Sequence, residues 1–225
     1  MKKRSALIGF LISLMPISQI SIVNYGILIT SSTFALPLKV NAESPGDLYK
    51  KGLKKFKETK DYEGAIEDFT KAINKKSSYL DAYYYRGVAK ARLGDYESAI
   101  ADYSKVLKMN KWDAGAVLNR GRAKFSIGDY EGAIKDYNKS IRIYPRNGTA
   151  FYFRGICKNK IEDYKGALAD FNKAININPK NLDAYFYRGY ARFMISDLKG
   201  ACEDWLFLKS ADNIDVKTEI EQYCN

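Results

Sequence analysis

Small and apolar residues recur along this chain at helical spacing. In the stretch 80–93, Ala82, Tyr85, Ala89 and Leu93 share one face; in the stretch 96–109, Ala99, Tyr103, Val106 and Leu107 do the same. Gly94-Asp95 separates the two runs. Gly suits a left-handed C-cap and Asp suits the N-cap of the helix that follows, so a tight helix-helix turn is predicted there. Pro145 and Pro179 stand where later second helices must end. Each such stretch predicts a helical hairpin.

The hairpin repeats. Arg-Gly occurs at Arg86-Gly87, Arg120-Gly121, Arg154-Gly155 and Arg188-Gly189, with a fixed step (120 − 86 = 154 − 120 = 188 − 154 = 34). Asp61-Tyr62, Asp95-Tyr96, Asp129-Tyr130 and Asp163-Tyr164 keep the same step, with Asp197-Leu198 as a weaker fifth. So do Ala65, Ala99, Ala133, Ala167 and Ala201, each followed four residues later by an aromatic: Phe69, Tyr103, Tyr137, Phe171 and Trp205. A period of this size means stacked supersecondary units that bury their faces on one another.

These residues resemble the tetratricopeptide repeat (TPR) family, whose motif places an aromatic, a Gly, then Ala and an aromatic, then Pro, at set offsets. The resemblance implies an all-α fold: a right-handed superhelical α-solenoid of about five hairpins plus a C-terminal capping helix. The units fall near 46–79, 80–113, 114–147, 148–181 and 182–213, within an array over 43–213, and the cap over 214–225. Unit one reads as degenerate, with Gly52 and Leu53 where the others have Arg-Gly. Arg replaces the family's Leu before Gly, and a buried Arg needs a carboxylate. Asp68, Asp102, Asp136, Asp170 and Asp204 recur on the second helices. A ladder between units is predicted: Asp68 with Arg86, Asp102 with Arg120, Asp136 with Arg154, Asp170 with Arg188.

Residues 1–42 are of another kind. A basic start at Lys2, Lys3 and Arg4 precedes an apolar run, and no further charge occurs before Lys39. This is the organisation of a secretory signal cleaved after Ala42, with Ala35 as a second choice. Left uncut, the uncharged stretch 6–29 is long enough to anchor the chain in a membrane. The expected location is outside the cytoplasm (periplasm, lumen or secreted), with the anchored form as the alternative. Of 37 basic and 26 acidic residues, four basic ones lie in the leader, leaving the array at 33 − 26 = +7. In an exported chain a disulfide between Cys202 and Cys224 is expected, closing the cap onto the last unit. Cys157 reads as a small core residue.

The chain contains no His, which removes the commonest general base and metal ligand. No Cys-x-x-Cys pair and no Gly-rich phosphate loop is present. No enzyme, cofactor, metal or small-molecule substrate is expected. The resemblance implies a protein-interaction scaffold whose first helices line a concave groove for a peptide or protein. Its candidate residues are Tyr84, Tyr85, Asn119, Arg122, Tyr152, Phe153, Lys160, Phe186, Tyr187 and Tyr190, with Tyr84, Tyr152 and Tyr187 foremost. The same rings could instead pack between helices. In unit one Lys50, Lys51, Lys54 and Lys57 take the groove positions. The family's clamp for a C-terminal carboxylate is not matched, because Lys54, Tyr85 and Gly115 stand at its other positions. The alternative function is nucleic-acid or anionic-surface binding by the basic array; an enzyme using repeat-borne carboxylates comes last.

Overall fold

The computed structural model describes residues 43–210 and 216–224. The leader and its cleavage site lie outside the described residues, as does Ile214 of the expected cap. Ten long helices follow in hairpin order: α1 (Pro45–Lys54), α2 (Tyr62–Lys75), α3 (Leu80–Arg92), α4 (Tyr96–Met109), α5 (Ala114–Ser126), α6 (Tyr130–Ile143), α7 (Gly148–Lys160), α8 (Tyr164–Ile177), α9 (Leu182–Met194) and α10 (Leu198–Ser210). A short α11 (Lys217–Tyr223) closes the chain. The described residues contain no strand. Each of the first ten helices packs on its hairpin partner, and each of α2, α4, α6 and α8 packs on the first helix of the next unit, which is the architecture of an α-solenoid.

Local signals start and stop these helices. Asp61, Asp95, Asp129 and Asp163 each accept a hydrogen bond from the backbone N–H three residues on, at 2.9, 3.2, 2.9 and 2.9 Å. Gly94 and Gly128 take the left-handed turn position with φ of 83° and 82°. Lys60, Glu162 and Ser196 adopt the same region without Gly's freedom, at a cost in backbone strain.

The core is a series of small clusters shared between neighbouring units. At its centre a first-helix Gly lies flat against a second-helix ring. A Cβ at Gly121 would stand 2.8 Å from Tyr137, and one at Gly155 would stand 2.8 Å from Phe171. Gly52 has the same relation to Phe69, at 2.7 Å. Unit one is therefore not degenerate: Lys51-Gly52, not Gly52-Leu53, stands in register with Arg-Gly. The sequence carries one extra residue before Asp61, and a π turn (Lys55–Thr59) absorbs it. Lys55 Nζ bonds to the carbonyl of Gly64, nine residues on, where Lys124 and Lys158 reach carbonyls eight residues on.

The expected ladder is corrected as well. Arg86 pairs with Asp102, Arg120 with Asp136, Arg154 with Asp170 and Arg188 with Asp204. All four pairs lie within a unit. Arg120 donates from Nε and Nη2 to the two oxygens of Asp136 at 2.9 and 2.6 Å, and Lys124 Nζ is 2.9 Å away. The link to the preceding unit is made instead by the remaining guanidinium nitrogen, to the neutral side chains of Thr70, Ser104, Asn138 and Asn172. A donor on the first helix reaches both flanking second helices, and its two-pronged edge takes the carboxylate because the charged bidentate pairing is the stronger one. Asp68 takes Lys55, at 2.8 Å. Cys202 and Cys224 are joined in a disulfide, which fixes α11 where Val216 and Ile220 cover Trp205 and Leu208.

Candidate binding groove

First helices of successive units touch one another directly, α3 with α5, α5 with α7 and α7 with α9. They therefore form the tighter, inner side of the stack. Along it the rings interlock. Tyr84 meets Tyr85 edge-on at 5.3 Å and Tyr103 at 6.1 Å. Its hydroxyl accepts a hydrogen bond from Asn119 Nδ2 of the next unit at 3.0 Å. Tyr152 touches Phe153, Phe171 and Tyr187, and Tyr187 stacks on Phe171 of the preceding unit. Phe186 is edge-on to Tyr187. Phe153 lies between Tyr137 and the guanidinium of Arg122, 5.2 Å from its ring centre. Desolvation raises the Tyr84 and Tyr152 hydroxyls above the ordinary phenol range.

Tyr84, Tyr152 and Tyr187 are thus half-buried rings that join units and turn only part of their surface to the groove. Tyr85, Asn119, Phe153 and Phe186 are also half-buried. The groups that stand open are Arg122, Lys160 and Tyr190. Tyr190 is edge-on to Tyr164. Lys160, in the last turn of α7, lies away from the unit-two hollow. In unit one, Lys51 pairs with Glu43 at 3.7 Å and Lys57 lies over the Tyr85 ring.

Between units two and three the strip opens into a hollow of about 430 Å³. Tyr84, Tyr85, Asn119 and Arg122 converge there with Arg92 and Ser126. Arg92 is exposed and forms no ion pair among the described residues. Helical spacing already puts Arg92 on this face; what the fold adds is that Lys90, two residues earlier, is used up on Asp102 at 2.8 Å, whereas Arg92 has no carboxylate partner among the described residues. The hollow therefore offers two guanidinium groups, an amide and phenol hydroxyls to an extended, anionic or hydrogen-bonding chain. No group of three His, Cys, Asp or Glu side chains placed to hold a metal occurs among the described residues.

The tetratricopeptide repeat family profile matches residues 86–148, and a second TPR repeat profile matches 54–94 and 159–195. No curated protein matches the chain. Among solved structures, MamA residues 41–end from Desulfovibrio magneticus RS-1 is similar at a TM-score of 0.72 and 20% identity, covering 77% of this chain and 98% of that one. A tetratricopeptide repeat protein from Parabacteroides merdae is similar at 0.70 and 22%, covering 77% and 69%. The first TPR of Spaghetti (RPAP3), bound to the HSP90 peptide SRMEEVD, is similar at 0.51 and 26%, covering 55% and 98%.

Proposed function

We propose that this chain, which belongs to the tetratricopeptide repeat family, is a protein-interaction scaffold that holds an extended peptide or a partner's helix in its concave groove, outside the cytoplasm. The observation that carries the groove reading is the hollow between units two and three, where Arg92 and Arg122 have no carboxylate partner among the described residues and stand beside Asn119 and Tyr84. Guanidinium groups that face a groove without a carboxylate favour an anionic or hydrogen-bonding partner there. The RPAP3 relative holds an acidic peptide, and that likeness supports a peptide as the occupant here. The location is supported by the signal-like leader and by the Cys202–Cys224 bond, which an oxidising compartment favours.

The test is affinity capture from the native envelope fraction with the full chain, beside the variants Arg92→Glu and Arg122→Glu. Both side chains are solvent-facing, so their melting temperatures should match the parent. A partner captured by the parent and lost from both variants supports the groove. A partner retained equally by all three places binding elsewhere on the solenoid.

A further inference from the structure

The chain enters the array at one edge of the stack, and that edge is basic. The carbonyl of Glu43 accepts a hydrogen bond from Lys75 Nζ at 2.7 Å, which holds the start of the array against the end of α2. At this edge first helices begin and second helices end. Lys75, Lys76, Lys108, Lys111, Arg142 and Arg146 are exposed there. None is within ion-pair range of a carboxylate among the described residues. Trp112 and Tyr144, in the loops after α4 and α6, are 60% and 59% exposed. The acids of this edge, Glu43, Asp47, Asp81, Asp113 and Asp183, stand at the starts of first helices and are fewer than its cations, and Asp113, beside Trp112, caps α5 through the Ala116 N–H. At the opposite edge, the first turns of the second helices expose Glu63, Glu97 and Glu131 in units one to three but Lys165 and Lys199 in units four and five, so charge of both signs is mixed there.

Helix dipoles explain part of this pattern. Lys108 and Arg142 sit in last turns, where a cation is favoured. Lys111 and Arg146 lie beyond the helix ends, and a dipole says nothing of an exposed Trp and Tyr. Basic loops carrying Trp and Tyr match another environment: the headgroup layer of an anionic bilayer, where amphipathic rings and cations both gain. In the uncut form the uncharged stretch 6–29 precedes this edge in sequence, which fits that setting; the cleaved form rests on the edge's own charges and rings.

We propose that this edge of the array, centred on Trp112 and Tyr144, lies on an anionic phospholipid surface while the groove stays free for its partner. The inference stands apart from the groove reading and does not depend on it. Of the two tryptophans, Trp205 is buried at 2% exposure, so iodide quenching reports Trp112. The full chain is reconstituted in vesicles of phosphatidylcholine alone and of phosphatidylcholine mixed with phosphatidylglycerol. The mixed vesicles should shield Trp112 from iodide, and brominated acyl chains should quench it. Replacing Lys108, Lys111, Arg142 and Arg146 together by Gln should lower the apparent affinity for the anionic surface by about a hundredfold or more, and high salt should do likewise. Circular dichroism of this surface variant, expected to match the parent, checks that it keeps its helices. Equal exposure of Trp112 in both vesicle types, or shielding that survives in the Gln variant, overturns the proposal. So does shielding by a single-stranded oligonucleotide but not by vesicles, which assigns the edge to nucleic acid.

Discussion

Replacing Asp136 by Asn tests what holds a unit together. The carboxylate is 3% exposed and receives three cationic donors: Arg120 Nε at 2.9 Å, Arg120 Nη2 at 2.6 Å and Lys124 Nζ at 2.9 Å. The amide keeps the shape but turns an NH2 towards groups that can only donate. With its oxygen at the Oδ2 site the amide keeps Arg120 Nε and Lys124 at about half strength, without the carboxylate's charge, and loses the Arg120 Nη2 contact, a loss equal to about two charge-assisted bonds. At about 1.5–3 kcal/mol for each such bond, the gross loss is about 3–6 kcal/mol. The Arg120 and Lys124 side chains keep 21% and 19% exposure, so water recovers part of it, and the expected net cost is about 3 kcal/mol, at the low end for breaking a buried pair. For an array of this length that is a drop of about 6–12 °C in melting temperature. Lys124→Met, which leaves the bidentate pair intact, should cost about 1 kcal/mol. Double-mutant cycles give the sharper reading. Arg120 and Asp136 should couple by more than about 1 kcal/mol, and Arg120 with Asp102 by nearly nothing. A melting temperature for Asp136→Asn within a degree of the parent, or a larger coupling to Asp102, would refute the assignment of the pairs to single units.

Gly121→Ala should destabilise by about 1–3 kcal/mol despite Ala's better helix propensity, because its Cβ would sit 2.8 Å from the fully buried Tyr137 ring; thermal melts check the sign. Reducing the Cys202–Cys224 bond, 22 residues apart, should cost about 3 kcal/mol by the chain-entropy rule and free the cap, read in a Trp112→Phe background as greater iodide access to Trp205 while helices α1 to α9 keep their exchange protection. The Cys157 thiol is pushed up to about 12 by burial, so in the native, oxidised protein it should stay unalkylated near neutral pH and react only in denaturant; brisk labelling of the folded chain would contradict its placement. Arg92→Glu with Arg122→Glu should weaken partner binding at least tenfold, as isothermal titration would show, with a melting temperature within a few degrees of the parent.

The hairpins and their turns were readable because their causes are local. An Asp that caps its own helix and a Gly at φ of 83° depend only on near neighbours. The same holds for the ring four residues beyond each Ala, whose burial follows from helical spacing. The pairing of Arg with Asp was not readable. Asp102 lies 16 residues after Arg86 and Asp68 lies 18 before it, and the repeat makes both offsets equally regular. The way the guanidinium turns, which spacing does not encode, decides between them. In the groove, helical spacing found the strip but could not divide a ring's surface between the next unit and the solvent. Tyr84 shows why: its hydroxyl reaches Asn119, 35 residues away.

The π turn at Lys55–Thr59 bears on how arrays of this kind tolerate change. A one-residue insertion in a helix normally rotates everything upstream by about 100°, which would swing Gly52 off the Phe69 ring and carry Leu48 out of the core. The wide turn takes up that rotation within five residues, so both contacts survive. Repeat length is then not the quantity the fold protects. What persists is the angular phase between a glycine and the ring it faces, and a length change that a helix can coil away leaves that phase untouched.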